Sequence, residues 1–183
     1  MSTKRIMFQN PGLFDLLMDK ITATVVSYLV AQIKAGAQAV QLFDTWAGVL
    51  SPEDYKKAVL PHVKKAIAEL KREGVPVIYF VNECAALLKE IKKTGADVIG
   101  IDWRIDLKEA VRALGKKFAV QGNLDPCALF LPAEDMEERV KDILWKGEFA
   151  KGHIFNLGHG ILPECPVDSA VALVEAVHKF SER

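Results

Sequence analysis

No apolar run in this sequence approaches the ~20 residues that a helix needs to cross a bilayer. The N-terminus, Met1-Ser2-Thr3-Lys4-Arg5, lacks the long apolar core of a secretory leader. An excess of charge of one sign is missing too: Lys+Arg and Asp+Glu both total 24. A balanced chain carries no bulk footprint for nucleic acid or another polyanion, although a local basic pocket is still allowed. Cysteine is scarce and scattered. Cys84, Cys127 and Cys165 make no CxxC pair, so their spacing gives neither a disulfide framework nor a zinc site. Separated thiols suit a reducing cytosol, with free buried thiols as the default. These absences imply a cytoplasmic protein with no membrane segment, no nucleic-acid partner and no bound metal.

What is present is a folded balance: half the 183 residues are hydrophobic and 26% are charged. That length supports a real core, and no linker or low-complexity segment divides it, so residues 1–183 read as a single domain. A simple grammar repeats. A helical segment ends near a glycine, a short apolar run follows, then a polar turn, then the next helix. The runs are Ala39–Phe43, Val77–Val81, Val98–Ile101, Phe118–Gln121 and His153–Phe155, each leading into an acid, an amide or a glycine: Asp44, Asn82, Asp102, Gly122 and Asn156. Continuous apolar runs without strict alternation suit parallel strands covered on both faces, and the intervening helices make the pattern a βα array.

The helices have legible ends. Asn10-Pro11 supplies an N-cap and a proline at the first helical position, and Lys34-Ala35-Gly36 supplies a stop. Ser51-Pro52-Glu53-Asp54 is a near capping box whose helix runs to about Glu73, with Pro61 expected to kink or divide it. Further helices are expected over residues 84–93, 106–114, 132–146 and 166–181. Right-handed crossovers place successive strands side by side. The expected fold is α/β of the (β/α)8 TIM-barrel type, as an incomplete barrel of about five βα units plus an N-terminal helix. A closed barrel needs eight strands, so five leave two open edges that call for cover or association.

Chemistry gathers where strands end, as it does at the carboxyl face of parallel α/β folds. After the last run, Asn156-Leu157-Gly158-His159-Gly160 displays one histidine between two glycines, which allow positive φ and close approach to the backbone. These glycines could also merely shape a βα loop. Phe43-Asp44-Thr45-Trp46-Ala47-Gly48 sets a hydroxyl beside a carboxylate and aromatics on a glycine-closed turn. It can hold a polar ligand edge or simply make turn hydrogen bonds. Asp102 with Arg104 is either a ligand-facing pair or an internal brace, with the brace favoured. Asn123-Leu124-Asp125-Pro126 reads as a turn with Asx hydrogen bonds. Glu83 either narrows the mouth or faces solvent. His62, His153 and His178 read as structural.

Several of these stretches together resemble the uroporphyrinogen decarboxylase family. The segments are Gly36 to Gly48, Gly100-Ile101-Asp102-Trp103-Arg104, Gln121 to Pro126, and Asn156-Leu157-Gly158-His159-Gly160-Ile161-Leu162-Pro163-Glu164 with Val167-Asp168 and Leu173-Val174-Glu175-Ala176-Val177-His178 after it. The resemblance covers about Thr3 to Phe180 and corresponds to the C-terminal half of a typical member. It implies cofactor-free removal of carboxyl groups from the acetate side chains of uroporphyrinogen, giving coproporphyrinogen in heme biosynthesis. It assigns substrate contact to Thr45 and His159, with Phe43 near the same pocket. The arginine-rich loop, the catalytic aspartate and the tyrosine of the family's N-terminal segment have no counterpart in this sequence, so no catalytic residue is assigned. The expected partners are a porphyrinogen and either further copies of the chain or a complementary N-terminal half. A non-catalytic half-barrel that assembles with another chain is the competing class. A corrinoid-linked zinc methyltransferase is disfavoured, because Asn82-Glu83-Cys84 lacks that fold's histidine.

Overall fold

The five apolar runs become five parallel strands. The computed structural model describes residues 2–182. Two helices come first, α1 (Ser2–Gln9) and α2 (Pro11–Lys34), then β1 (Val40–Asp44). A 3₁₀ turn (Ala47–Val49) leads to a helix in three parts: α3 (Pro52–Asp54), a π-helical turn (Tyr55–Val59) and α4 (Leu60–Leu70). The rest alternates: β2 (Val77–Val81), α5 (Leu88–Ile91), β3 (Val98–Gly100), α6 (Leu107–Leu114), β4 (Ala119–Gln121), α7 (Ala133–Gly147), β5 (Gly152–Ile154) and α8 (Val167–Ser181). The sheet order is β1-β2-β3-β4-β5, every pair parallel. This is the expected incomplete barrel of five βα units. Among the described residues no helix is long and apolar enough to cross a membrane.

Local chemistry sets the helix ends. Asn10 accepts from the Leu13 N–H at 3.1 Å, fixing the start of α2. Ser51 Oγ accepts the Asp54 N–H at 3.1 Å and donates to the Asp54 carboxylate at 2.8 Å. The expected capping box is therefore closed through the hydroxyl. Asp106 caps α6 by accepting from Lys108 and Glu109. Pro61 divides its helix as expected, by a specific device. A proline has no N–H to return and its ring crowds the preceding turn. The turn ahead of it widens, with the Leu60 N–H reaching back five residues to Tyr55. α1 has no counterpart in the sequence expectations; its eight residues carry neither a capping signal nor a sustained apolar period.

One face of the sheet packs on the helices. Tyr79, Ile99 and Val120 are neighbours in register and buried there. α6 meets that layer through Leu107, Ala110, Val111 and Leu114, the spacing of a single helical face. The other face is concave. Gln121 Nε2 donates to Gln41 Oε1 at 3.2 Å, linking β4 to β1 across the hollow. On a flat sheet those strands would stand about 14 Å apart, three spacings of ~4.8 Å, with their side chains rising in parallel. The contact therefore records strong curvature.

Apolar surface stays open in several places. Phe43 and Ile154, at the two ends of one concave row, are exposed, and α2 presents Leu13, Leu16, Ile21 and Tyr28 to solvent, the last 64% exposed. Core and stripe therefore separate in a mutational test. Ile99→Ala is expected to lower unfolding free energy by about 2–5 kcal/mol in urea titration, and Leu16→Ala by about 0.5 kcal/mol or less. Equal losses at the two positions would contradict this division.

Candidate functional site

The carboxyl ends of the strands raise five loops around the concave face. On β1, Phe43 and the residue two further on, Thr45, point to the same side. They line an open cleft of about 520 Å³ with Gln41, Phe80, Gln121 and His159. The structure thus brings Phe43, Thr45 and His159 to one cavity. The cleft is apolar at its sides, where Phe43 and Phe80 meet edge to face at 6.1 Å, and polar at its floor, where the two glutamines pair.

Two glycines dock the loops that carry Thr45 and His159. A Cβ on Gly48 would stand 2.1 Å from the Asn82 carbonyl oxygen, so the β1 loop lies directly on the β2 loop. A Cβ on Gly158 would stand 2.5 Å from the Trp103 nitrogen, so the β5 loop lies on the β3 loop. The positive φ that the glycines beside His159 allow is not used. Neither Gly158 nor Gly160 has a left-handed backbone, and Gly158 serves by close approach instead. Among the described residues Glu83, an exposed residue, is the non-glycine with positive φ, at 59°.

Asp102 is the brace among these loops. Its carboxylate is fully buried and accepts the Cys84 N–H at 2.7 Å and the Arg104 N–H at 2.9 Å. Arg104 Nη1 donates to Asn82 Oδ1 at 2.9 Å. Asn123 Nδ2 donates to the Asp102 and Ile105 carbonyls, tying in the β4 loop. Of the expected Asx turn, only Asp125 is local, accepting from the Cys127 N–H. No buried side-chain polar atom of the described residues lacks a partner.

Asp44 points away from the cleft into a short chain of hydroxyls. Tyr79 donates to Asp44 Oδ2 at 2.8 Å. With that proton committed, the 2.9 Å contact between Tyr79 and Tyr55 is a donation from Tyr55. Burial raises the Asp44 pKa above the ordinary carboxylate value, and the Tyr79 hydrogen bond offsets part of that. Burial also pushes both tyrosines upward and lifts the Cys84 thiol to about 12. Only Cys84 is the buried thiol expected of all three cysteines; Cys165 is half-buried and Cys127 exposed. His153 donates Nε2–H to the Gly122 carbonyl at 2.7 Å, and burial holds it below the usual imidazole range. His62 is largely covered beside Asp15 and Asp19.

Sequence reasoning missed Gln41, Gln121, Phe80 and the two tyrosines. The glutamines had a signal: each is an amide inside an otherwise apolar run. Among the described residues no three His, Cys, Asp or Glu side chains group as a metal would require.

Fold and site together define a (β/α)-barrel-type protein with an aromatic-walled cleft at its strand carboxyl ends. The family model for uroporphyrinogen decarboxylase (URO-D) matches residues 1–180, and the chain belongs to that family. It is 51% identical over 180 residues to the uroporphyrinogen decarboxylase of Geobacter sulfurreducens, covering 98% of this chain and 53% of that protein. The enzyme of Carboxydothermus hydrogenoformans is 53% identical over 178 residues, covering 97% and 51%. The chain spans about half the length of these curated relatives. A solved methyltransferase from Methanosarcina mazei superposes with a TM-score of 0.88 at 19% identity, over 99% of this chain and 53% of its own; it shares the fold.

The brace and the hydroxyl chain each make a prediction. Asp102→Ala strands two amides, at about 1–3 kcal/mol for each left unpaired. Hydrogen exchange at the Cys84 and Arg104 amides is expected to accelerate, and unchanged protection would refute the brace. For Asp44, a raised native pKa means that the folded protein holds this proton to higher pH than the unfolded chain does. Its contribution is therefore most favourable below the unfolded value and declines as pH rises through the native one. Asp44→Asn keeps an acceptor for Tyr79 and is expected to remove that decline. The change in urea midpoint between about pH 4 and about pH 7 should then shift toward greater stability at the higher pH than in the parent. An unaltered change would place Asp44 in ordinary solvent.

Proposed function

We propose that this chain forms the C-terminal half of a uroporphyrinogen decarboxylase site, which converts uroporphyrinogen to coproporphyrinogen. The observation that carries this reading is the shared cleft of Phe43, Thr45 and His159 in a member of the family. Each turnover of one acetate arm takes up one proton and releases one carbon dioxide, turning –CH₂–COO⁻ into –CH₃. Protonation of a pyrrole carbon makes the ring an electron sink. The carbon–carbon bond then breaks toward it, the exocyclic carbon takes a proton, and the ring gives its own back. No metal or organic cofactor enters this balance. What the protein must supply is a fixed place for an anionic macrocycle and a poised environment for a transient cation. His159 donates an N–H to a side-chain carboxylate, Thr45 gives a hydroxyl contact, and the Phe43 ring offers its π face to the cationic intermediate.

The same reading has residues 1–183 acting as one domain in the cytoplasm. The exposed ends of the concave row and the bare stripe on α2 favour a second element: association with a further copy or with a complementary half of the length the relatives have. Anaerobic incubation with freshly reduced uroporphyrinogen, counting carboxyl groups lost by mass spectrometry, tests both parts. The chain is assayed alone and with an added N-terminal half from a relative. Carboxyl loss is expected with the added half. In that assembly Thr45→Val and His159→Ala should each lower kcat/KM by roughly tenfold or more, the worth of one charge-assisted or buried hydrogen bond. Full activity in both variants, or no activity in an assembly whose intact relative is active, refutes the assignment.

A further inference from the structure

His159 has an unusual hold for a histidine in a binding cleft. Such rings are normally oriented by a hydrogen bond to the nitrogen that does not meet the ligand. Among the described residues nothing hydrogen-bonds either nitrogen of His159. Two aromatic rings flank it instead. The Trp103 ring centroid lies 6.0 Å away at an interplanar angle of 80°, and that of Phe80 lies 6.2 Å away at 65°. Both are edge-to-face contacts within the range where the ring quadrupoles attract.

The indole is itself held. The Arg104 guanidinium sits 3.9 Å from the Trp103 ring centroid while donating to Asn82, and the Arg104 backbone is pinned by buried Asp102. The His159 loop is pressed onto this assembly from the other side. The Gly158 N–H donates to the Leu124 carbonyl at 2.7 Å, and Gly158 has room for no side chain against Trp103. Trp103 is thus the fixed body and His159 the ring that rests on it.

We propose that Trp103 is a positioning residue that orients His159 through edge-to-face packing and leaves both imidazole nitrogens available to a ligand carboxylate. The proposal rests on the reading that His159 meets a carboxylate of the substrate. It differs in kind from a ligand contact, because Trp103 acts here through another side chain.

Two measurements on the full chain test it separately. The first reads nuclear Overhauser contacts between the ring protons of His159 and Phe80. Trp103→Phe should keep them, since a phenyl edge can replace the indole edge, and Trp103→Leu should lose them. The second reads binding of uroporphyrin, a stable octacarboxylate porphyrin, by fluorescence. Trp103→Leu should weaken binding about as much as His159→Ala does, roughly tenfold, and Trp103→Phe by no more than about twofold. The double variant Trp103→Leu with His159→Ala should bind no more weakly than His159→Ala alone, because both changes remove one interaction. If Trp103→Leu does not fold, Arg104→Ala, which frees the indole face, is read in the same way. Retained contacts in the leucine variant, or penalties that add in the double variant, overturn the proposal. A parent chain that does not bind the porphyrin removes the carboxylate reading of His159, while the nuclear Overhauser contacts still decide whether Trp103 orients the ring.

Discussion

A carboxylate out of water is stable only when its lone pairs are occupied, and the mouth of this half-barrel is arranged around that requirement at Asp102. Its buried oxygens draw in the amides at the start of the β2 loop and within its own loop. Arg104 and Asn123 extend the same network to Asn82 and to the β4 segment. Loops from three strands thereby gain a common origin, and the two loops carrying Thr45 and His159 dock on that frame at Gly48 and Gly158. A precise cleft on an open sheet is possible because its rim is cross-tied by polar bonds, which do not depend on the barrel being closed.

The layer beneath follows a different logic. Helix-side residues of β2, β3 and β4 are buried and apolar, and among them Tyr79 also carries a hydroxyl, which connects the two layers. Its ring belongs to the core and its hydroxyl to Asp44, so the β1 loop is anchored from behind as well as from the rim. The concave side has the opposite composition: glutamines at the floor and aromatic rings above. A neutral amide floor under aromatic walls can accept a flat heteroaromatic body without placing a fixed charge under it. Arg104 and His159 stay at the rim, clear of this floor.

Much of this was legible because the information was local. Five short, largely apolar runs between helical segments read as strands, and parallel order follows from the helical crossovers. Pro61, Asn10 and Ser51 announced their roles through covalent geometry or a short-range hydrogen bond. Phe43, Thr45 and His159 were singled out as candidates through family resemblance, while their meeting in one cleft depends on sheet curvature that no single strand encodes. The Trp103–His159 packing and the Gln41–Gln121 bond join loops or strands far apart in the chain, and local pattern carries no register for such pairs. Gly158 was read as a residue that allows positive φ or the close approach of a ligand; its backbone is ordinary, and what approaches closely is Trp103 of this chain. α1 went unseen because its few residues carry no capping signal.

The widened turn at Tyr55–Val59 can be regarded as a record of length. A π turn holds one residue more than the α-helix that would span the same distance. Winding the same residues as plain α-helix would swing everything on one side of them by about 100°. Either Tyr55 would turn from Tyr79, or α4 would withdraw its apolar face from the sheet. The helix therefore has no freedom to be regularised. Its irregularity is the spacer that keeps a hydroxyl and a packing face, set a non-integral number of turns apart, simultaneously in phase.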